Sequence, residues 1–189
     1  MNIVIAAVGG QGALFAARVI GKIALSGGYD VKVSEVHGMS QRGGSVITHV
    51  RYGKKINSPI VEEGFGDAVI AFELLEGARC TSFLHRGGVV IANEQHINPQ
   101  PVLAGDMEYP RRLVDRMREL GLRVRAIDAL TAAKQAGNVR AVNAVMLGMF
   151  AAETEFEREA WHDAIRLVSP PAFADANCLA FDKGFQSGN

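Results

Sequence analysis

The chain has 189 residues, enough for a substantial core within one domain, and its 48% hydrophobic and 21% charged content is ordinary for a globular protein. Twenty basic residues balance twenty acidic ones, which argues against a nucleic-acid or anionic-membrane binder, because both leave a basic excess. Only Arg111, Arg112, Arg116 and Arg118 suggest a local basic patch.

The opening MNIVIAAVGGQG lacks a basic leader region and reads as a first strand, Ile3–Val8, followed by a glycine turn. From Ala13 to Ser26 the period becomes helical, with Ala13, Ala17, Ile20 and Ala24 on one face and Arg18, Lys22 and Ser26 on another. Gly27-Gly28 ends that helix, and Val31–Val36 completes a βαβ unit. A glycine-rich loop leads to a strand over Val46–Tyr52, and Ile56–Val61 is expected to pair back on it as a short hairpin partner, kept at an edge by Pro59. Asp67–Phe72 reads as a strand, followed by a helix to about Leu84, and Val89–Ala92 as a fourth core strand.

Asn98–Pro110 carries three prolines and reads as an extended loop. A helix over Arg111–Leu120, a strand over Arg123–Ile127 and a helix over Ala129–Gln135 follow, the last ended by Gly137. Helices are then expected over about Ala141–Ala152 and Glu155–Val168. Past Pro170-Pro171 the tail keeps Phe173, Leu179, Phe181 and Phe185, an apolar content expected to dock on this subunit or on a partner. Alternating strands and helices predict a three-layer α/β, Rossmann-like fold with a mostly parallel sheet and a short β-hairpin insertion, spanning 1–189 as a single domain.

No apolar run reaches membrane-spanning length, and the chain is expected to be cytoplasmic. Cys80 and Cys178 lie far apart without a CxxC, cannot supply the four thiolates of an iron–sulfur cluster, and are expected as buried free thiols. His49, His85, His96 and His162 show no metal-ligand spacing, and Met107, Met117, Met146 and Met149 read as core or interface filler.

Two glycine clusters follow strands and therefore belong at the carboxyl edge of the sheet, where ligands of such folds bind. The first is Gly9-Gly10-Gln11-Gly12, a turn whose backbone amides suit an anion near a helix start. It departs from the dinucleotide fingerprint, because the third-glycine position is Phe15, although Glu35 would suit a ribose hydroxyl. The second is SEVHGMSQRGGS over Ser34–Ser45, in which Glu35 and His37 would share a strand face as a proton-transfer pair or as a structural hydrogen bond. Gly66-Asp67-Ala68 with a later Asn93 fails as a thiamine diphosphate motif: it lacks the third glycine and precedes its strand.

Together VGGQG, SEVHGMSQRGGSV, GDAVIAFE and the later GNVRAVNAVMLG resemble the gamma-type subunit of 2-oxoacid:ferredoxin oxidoreductases, and most of all the small beta subunit of the indolepyruvate enzymes. The resemblance covers the chain through about Gly148. It implies a subunit, inactive alone, of a complex that decarboxylates a 2-oxoacid, indolepyruvate or another aryl pyruvate, to acyl-CoA and CO2 while reducing ferredoxin. Thiamine diphosphate, Mg2+ and the iron–sulfur clusters would sit on larger partner subunits, with no cofactor held by this chain alone and coenzyme A as co-substrate. By resemblance, Gly9, Gly10, Gln11 and Gly12, with Glu35, His37, Gly38, Met39, Gln41, Arg42, Gly43 and Gly44, would form a surface facing the partner's active site and the coenzyme A side. Arg42 would contact a phosphate or carboxylate. The alternative is a stand-alone Rossmann-type dinucleotide-binding oxidoreductase, resting on the glycine turn and Glu35.

Overall fold

A computed structural model describes residues 1–37 and 44–188. Its elements run β1 (Asn2–Val8), α1 (Ala13–Ser26), β2 (Asp30–His37), β3 (Ser45–Gly53), β4 (Gly66–Ala71), α2 (Leu74–Arg79) and β5 (Leu84–Asn93). They continue with α3 (Gln100–Leu103), α4 (Leu113–Glu119), β6 (Arg123–Ile127), α5 (Ala129–Gln135), α6 (Val142–Ala151), α7 (Arg158–Val168) and α8 (Ala174–Gly188). Among the described residues six strands form one sheet in the order β2-β3-β1-β4-β5-β6. β1, β4, β5 and β6 are parallel neighbours, while β3 runs antiparallel to both β1 and β2.

The sheet is buried on both faces because its central strands carry continuous apolar runs, Ile3–Val8, Ala68–Ala71 and Val89–Ala92, and alternate residues feed different layers. Ile3, Ile5 and Ala7 of β1 pack with α1 and α5 to α8, whereas Val4 and Ala6 pack with Leu74 of α2 and with Leu113 and Met117 of α4. The outcome is the expected helix–sheet–helix sandwich.

The hairpin differs from expectation. Residues Ile56–Val61 form no strand; the antiparallel partner of β3 is β2, and β3 inserts between β2 and β1. The Arg51 guanidinium takes the carbonyls of Ser58 and Ile60, both at 3.0 Å, so this loop's acceptors are satisfied by a side chain instead of a ladder. The helix expected to reach Leu84 stops at Arg79. A 3-10 turn, Thr81–Phe83, follows, and β5 begins at Leu84. The expected loop Asn98–Pro110 contains the short α3.

The tail docks on this chain. α8 lies along α6 with Phe181 fully buried and stacked on Trp161, ring centroids 5.8 Å apart. The two helices cross backbone to backbone at glycines: a Cβ added to Gly148 would lie 1.9 Å from the Phe181 carbonyl oxygen. One added to Gly184 would lie 1.9 Å from that of Val145. α7 is tied to α8 by a bidentate Arg158–Asp182 pair at 2.7 and 2.6 Å and by His162 Nε2 at 2.8 Å from the same carboxylate.

Candidate functional site

β1 and β2 end at the same edge of the sheet, and the structure joins the two glycine clusters there: the Gly9 N–H donates to the Gly44 carbonyl at 2.9 Å. A cleft of about 320 Å³ opens at this junction, lined by Gly9, Gly10, Gly12, Leu14, Glu35 and Val46 among others. Gly10 adopts φ 102 with open space where a side chain would stand, so its backbone faces the cleft bare. Gly12, at φ 86, caps α1 without a side-chain hydrogen bond, and an added Cβ would lie 2.7 Å from Asn143 Nδ2. Among the described residues, the N–H groups of Gly10, Gly12, Ala13 and Leu14 have no acceptor, and the first turn of α1 carries no acidic residue. Such a helix start favours an anionic group.

Gln11 does something different from its glycine neighbours. Its carboxamide oxygen accepts the Val8 N–H at 2.7 Å, and its Nε2 donates to the Phe72 carbonyl and to Gln95 Oε1, both at 3.1 Å. Asn93 donates to the same two acceptors at 3.1 and 3.2 Å and accepts the Ala129 N–H at 3.1 Å. One amide network thus holds the ends of β1, β4 and β5 and the start of α5 in register behind the cleft. Gln11 shapes the turn from within.

Glu35 and His37 do share a face of β2, on the α1 side, as strand alternation requires. Both are exposed, and the Thr48 hydroxyl donates to the Glu35 carboxylate at 3.5 Å. Gly38, Met39, Gln41, Arg42 and Gly43 lie outside the described residues.

The dinucleotide alternative gains no support. With β3 inserted, Glu35 stands two strands from β1, about 9.5 Å away at the usual strand spacing, whereas a ribose-binding acid belongs on the adjacent strand. Phe15, at the third-glycine position, is packed against the core. Asp67, the carboxylate of the rejected thiamine motif, sits at the opposite edge, where it accepts the Asn2 N–H at 2.6 Å and pairs with His85 at 3.1 Å.

Among the described residues no group of three or more His, Cys, Asp or Glu side chains is placed to hold a metal ion. Cys80 and Cys178 are buried free thiols in different cores on opposite faces of the sheet. Burial pushes the Cys80 thiol up to about 12 and raises that of Cys178. Within the expected basic patch Arg112 is paired with Asp115 and Glu119, both at 3.1 Å, while Arg118 donates to the neutral Val124 carbonyl and keeps its charge. Met117, Met146 and Met149 are core residues, whereas Met107 is exposed. Among the described residues no helix is long and apolar enough to cross a membrane.

Sequence reasoning missed Glu73, which is 1% exposed at the carboxyl end of β4. Its carboxylate accepts from the Tyr109 hydroxyl at 2.5 Å and from the N–H groups of Glu76 and Ile97 at 2.9 and 3.1 Å. Burial, with Glu73 alongside, pushes the Tyr109 hydroxyl well above its usual range, so it stays protonated as a donor. The only sequence trace of this arrangement is an acid closing an apolar strand in GDAVIAFE.

Residues 2–187 match the family described as pyruvate ferredoxin/flavodoxin oxidoreductase. The indolepyruvate oxidoreductase subunit IorB of Pyrococcus horikoshii is 42% identical over 193 residues, covering 98% of this chain and 95% of that protein. The protein of the same description from Thermococcus kodakarensis is 40% identical with the same coverage. The gamma subunit of a keto/oxoacid ferredoxin oxidoreductase from Geobacter sulfurreducens shares the fold at a TM-score of 0.73 and 23% identity, over 99% of this chain and 97% of that one. So does the 2-oxoglutarate:ferredoxin oxidoreductase of Magnetococcus marinus, determined with 2-oxoglutarate, coenzyme A and succinyl-CoA bound. Its TM-score is 0.72 at 18% identity, over 100% of this chain and 31% of the other. The chain therefore belongs to the pyruvate ferredoxin/flavodoxin oxidoreductase family, as a small subunit of a 2-oxoacid:ferredoxin oxidoreductase.

Proposed function

We propose that this subunit completes the active site of a larger, cytoplasmic partner that bears thiamine diphosphate, Mg2+ and iron–sulfur clusters. The complex would oxidatively decarboxylate indolepyruvate, or another aryl pyruvate, in the presence of coenzyme A. The products are the acyl-CoA and CO2, and the electrons pass to ferredoxin. The observation that carries this reading is the 42% identity to a subunit named for indolepyruvate, sustained over nearly the whole of both chains.

The cleft supports a share in binding and none in bond making. Its exposed backbone amides, at the mouth of α1, suit the phosphate or carboxylate of an incoming co-substrate. By resemblance alone we assign Gly38, Met39, Gln41, Arg42, Gly43 and Gly44 to the same surface, with Arg42, whose planar fork suits bidentate contact, as the residue that would meet such a group. Glu35 and His37, exposed on β2, are assigned to that surface as polar residues. Selectivity for the 2-oxoacid lies mainly in the partner's thiamine pocket.

The test is co-expression with a candidate thiamine- and cluster-bearing subunit, followed by aryl-pyruvate- and CoA-dependent reduction of ferredoxin or a viologen dye. Activity of the pair, absent from either chain alone, is expected. Arg42→Ala is expected to raise the KM for CoA or 2-oxoacid, or to weaken assembly; an intact complex with unchanged kinetics refutes its role.

A further inference from the structure

A second concavity, of about 540 Å³, opens beyond the carboxyl end of β5, between that strand and the turn Tyr109–Arg112. Its walls carry the rings of His96 and Tyr109, the apolar Met107, two guanidinium groups, those of Arg111 and Arg112, and one carboxylate, that of Glu108. From the geometry we infer that this is a binding site for a planar aromatic ring carrying an anionic group, distinct from the glycine cleft on the far side of β4 and β1.

The aromatic wall is built from behind. Tyr109 donates to Glu73, a carboxylate that is 1% exposed, and its hydroxyl accepts the Leu75 N–H at 3.2 Å. The tilt of the ring is therefore fixed by two hydrogen bonds, one of them to a buried carboxyl group. The Ile97 N–H bonds the same carboxylate, which anchors the residue next to His96. The His96 ring stacks on Tyr109 with centroids 4.7 Å apart and planes 20° from parallel. Burying the Glu73 carboxylate is offset by three hydrogen bonds: one caps α2, one holds the Ile97 backbone, and one fixes Tyr109 at the rim of the cavity.

The remaining walls fit a ring and an anion. Met107 is 64% exposed and offers a polarizable thioether opposite an aromatic surface. Arg111 supplies the charge. Among the described residues its ion pair is a 3.8 Å contact with Glu108, both side chains more than 80% exposed, so it is recruited at little cost. Arg112 is committed to Asp115 and Glu119, and it is the one described non-glycine residue with positive φ, at 56. Arg111, the residue before that turn, lines the concavity.

A nucleotide and an aryl carboxylate share this chemistry, and the inference rests on the proposed function only in the choice of the second as a probe. The full chain is titrated by calorimetry with ADP and adenosine, and with indole-3-acetate and indole. Saturable binding of at least one charged probe is expected, with its neutral counterpart about tenfold weaker. Whichever pair binds identifies the source. Arg111→Ala should abolish the tenfold preference while leaving the neutral probe unchanged, and His96→Ala should weaken both members of the pair; both residues are exposed, so both variants should fold. Failure of both charged probes to saturate overturns the site, as does an unchanged charged-to-neutral ratio in Arg111→Ala. Turnover by the complex without binding here sinks this site alone, whereas binding here without turnover supports it and sinks the proposed function.

Discussion

Replacing Gly148 with Ala should lower stability, against the ordinary rule that Ala is the better helix former. In an unconstrained helix interior the substitution is favourable by about 0.5–1 kcal/mol. Here the new Cβ would sit 1.9 Å from the Phe181 carbonyl oxygen and 2.7 Å from the Phe185 nitrogen, which are backbone atoms that no side-chain rotation can move. Reaching an ordinary contact of about 3.2 Å requires α8 to move away from α6 by about 1.3 Å, and gaps of that size forfeit much of the dispersion energy across an interface. Overpacking of this kind costs about 3 kcal/mol, leaving a net loss near 2 kcal/mol. At about 2–4 °C per kcal/mol for a chain of this size, Tm should fall by about 4–8 °C. Gly21→Ala in α1 is the control, since its Cβ would meet only Val31 Cγ1 at 3.7 Å, and it should raise Tm. Thermal unfolding followed by far-UV circular dichroism reads both. If Gly148→Ala melts at or above the wild type, the crossing is not the tight contact described and the reasoning fails. Gly184→Ala should cost a similar amount, and the double variant less than the sum, because one separation of the helices relieves both contacts.

Gly12→Ala should cost about 1–3 kcal/mol in urea unfolding, because φ 86 and the Asn143 contact both oppose a side chain; Gly10→Ala, facing open space, should cost less. Asp182 is held below the usual carboxylate range, because burial, which opposes ionisation, is outweighed by its bonds to Arg158 and His162. Its contribution is thus complete above about pH 4 and is lost as pH falls toward the depressed folded-state value, so Asp182→Asn should flatten the acid limb of a stability–pH curve. A limb unchanged by that substitution would assign acid sensitivity elsewhere. Cys80 and Cys178, both raised by burial, should react with a thiol reagent at pH 8 only as fast as the chain opens, and a fast phase in native protein would contradict their placement.

Local signals in the sequence were sufficient wherever neighbours along the chain decide the structure. Ala13–Ser26, Arg123–Ile127 and Ala129–Gln135 form with the boundaries that periodicity and flanking glycines indicate. Pairing is not local, and there the reading failed. The alternation in Val46–Tyr52 announces a strand without saying that it separates β1 from β2, and the β-branched residues of Ile56–Val61 concealed a loop whose carbonyls belong to Arg51. The tail was legible as apolar but not as a 15-residue helix, because the close crossing of Gly184 against Val145 that holds it is a contact between distant parts of the chain. At the candidate site the glycine turn and Glu35 were visible, while Glu73, Gln95 and Tyr109 were not. Each sits at the end of a different element and acquires meaning only from the others.

The register of β2 and β3 brings His37 opposite Val46, so the segment between them leaves and rejoins the protein at adjacent points of a paired ladder. Such an attachment behaves as a socket. The residues between His37 and Gly44 can be lengthened, shortened or exchanged with those of a relative while the eight registered pairs of the stem and the core beneath them stay in place. A family built on this frame can diversify what it presents to different catalytic partners by swapping one short cassette, and the same operation is open to the protein engineer.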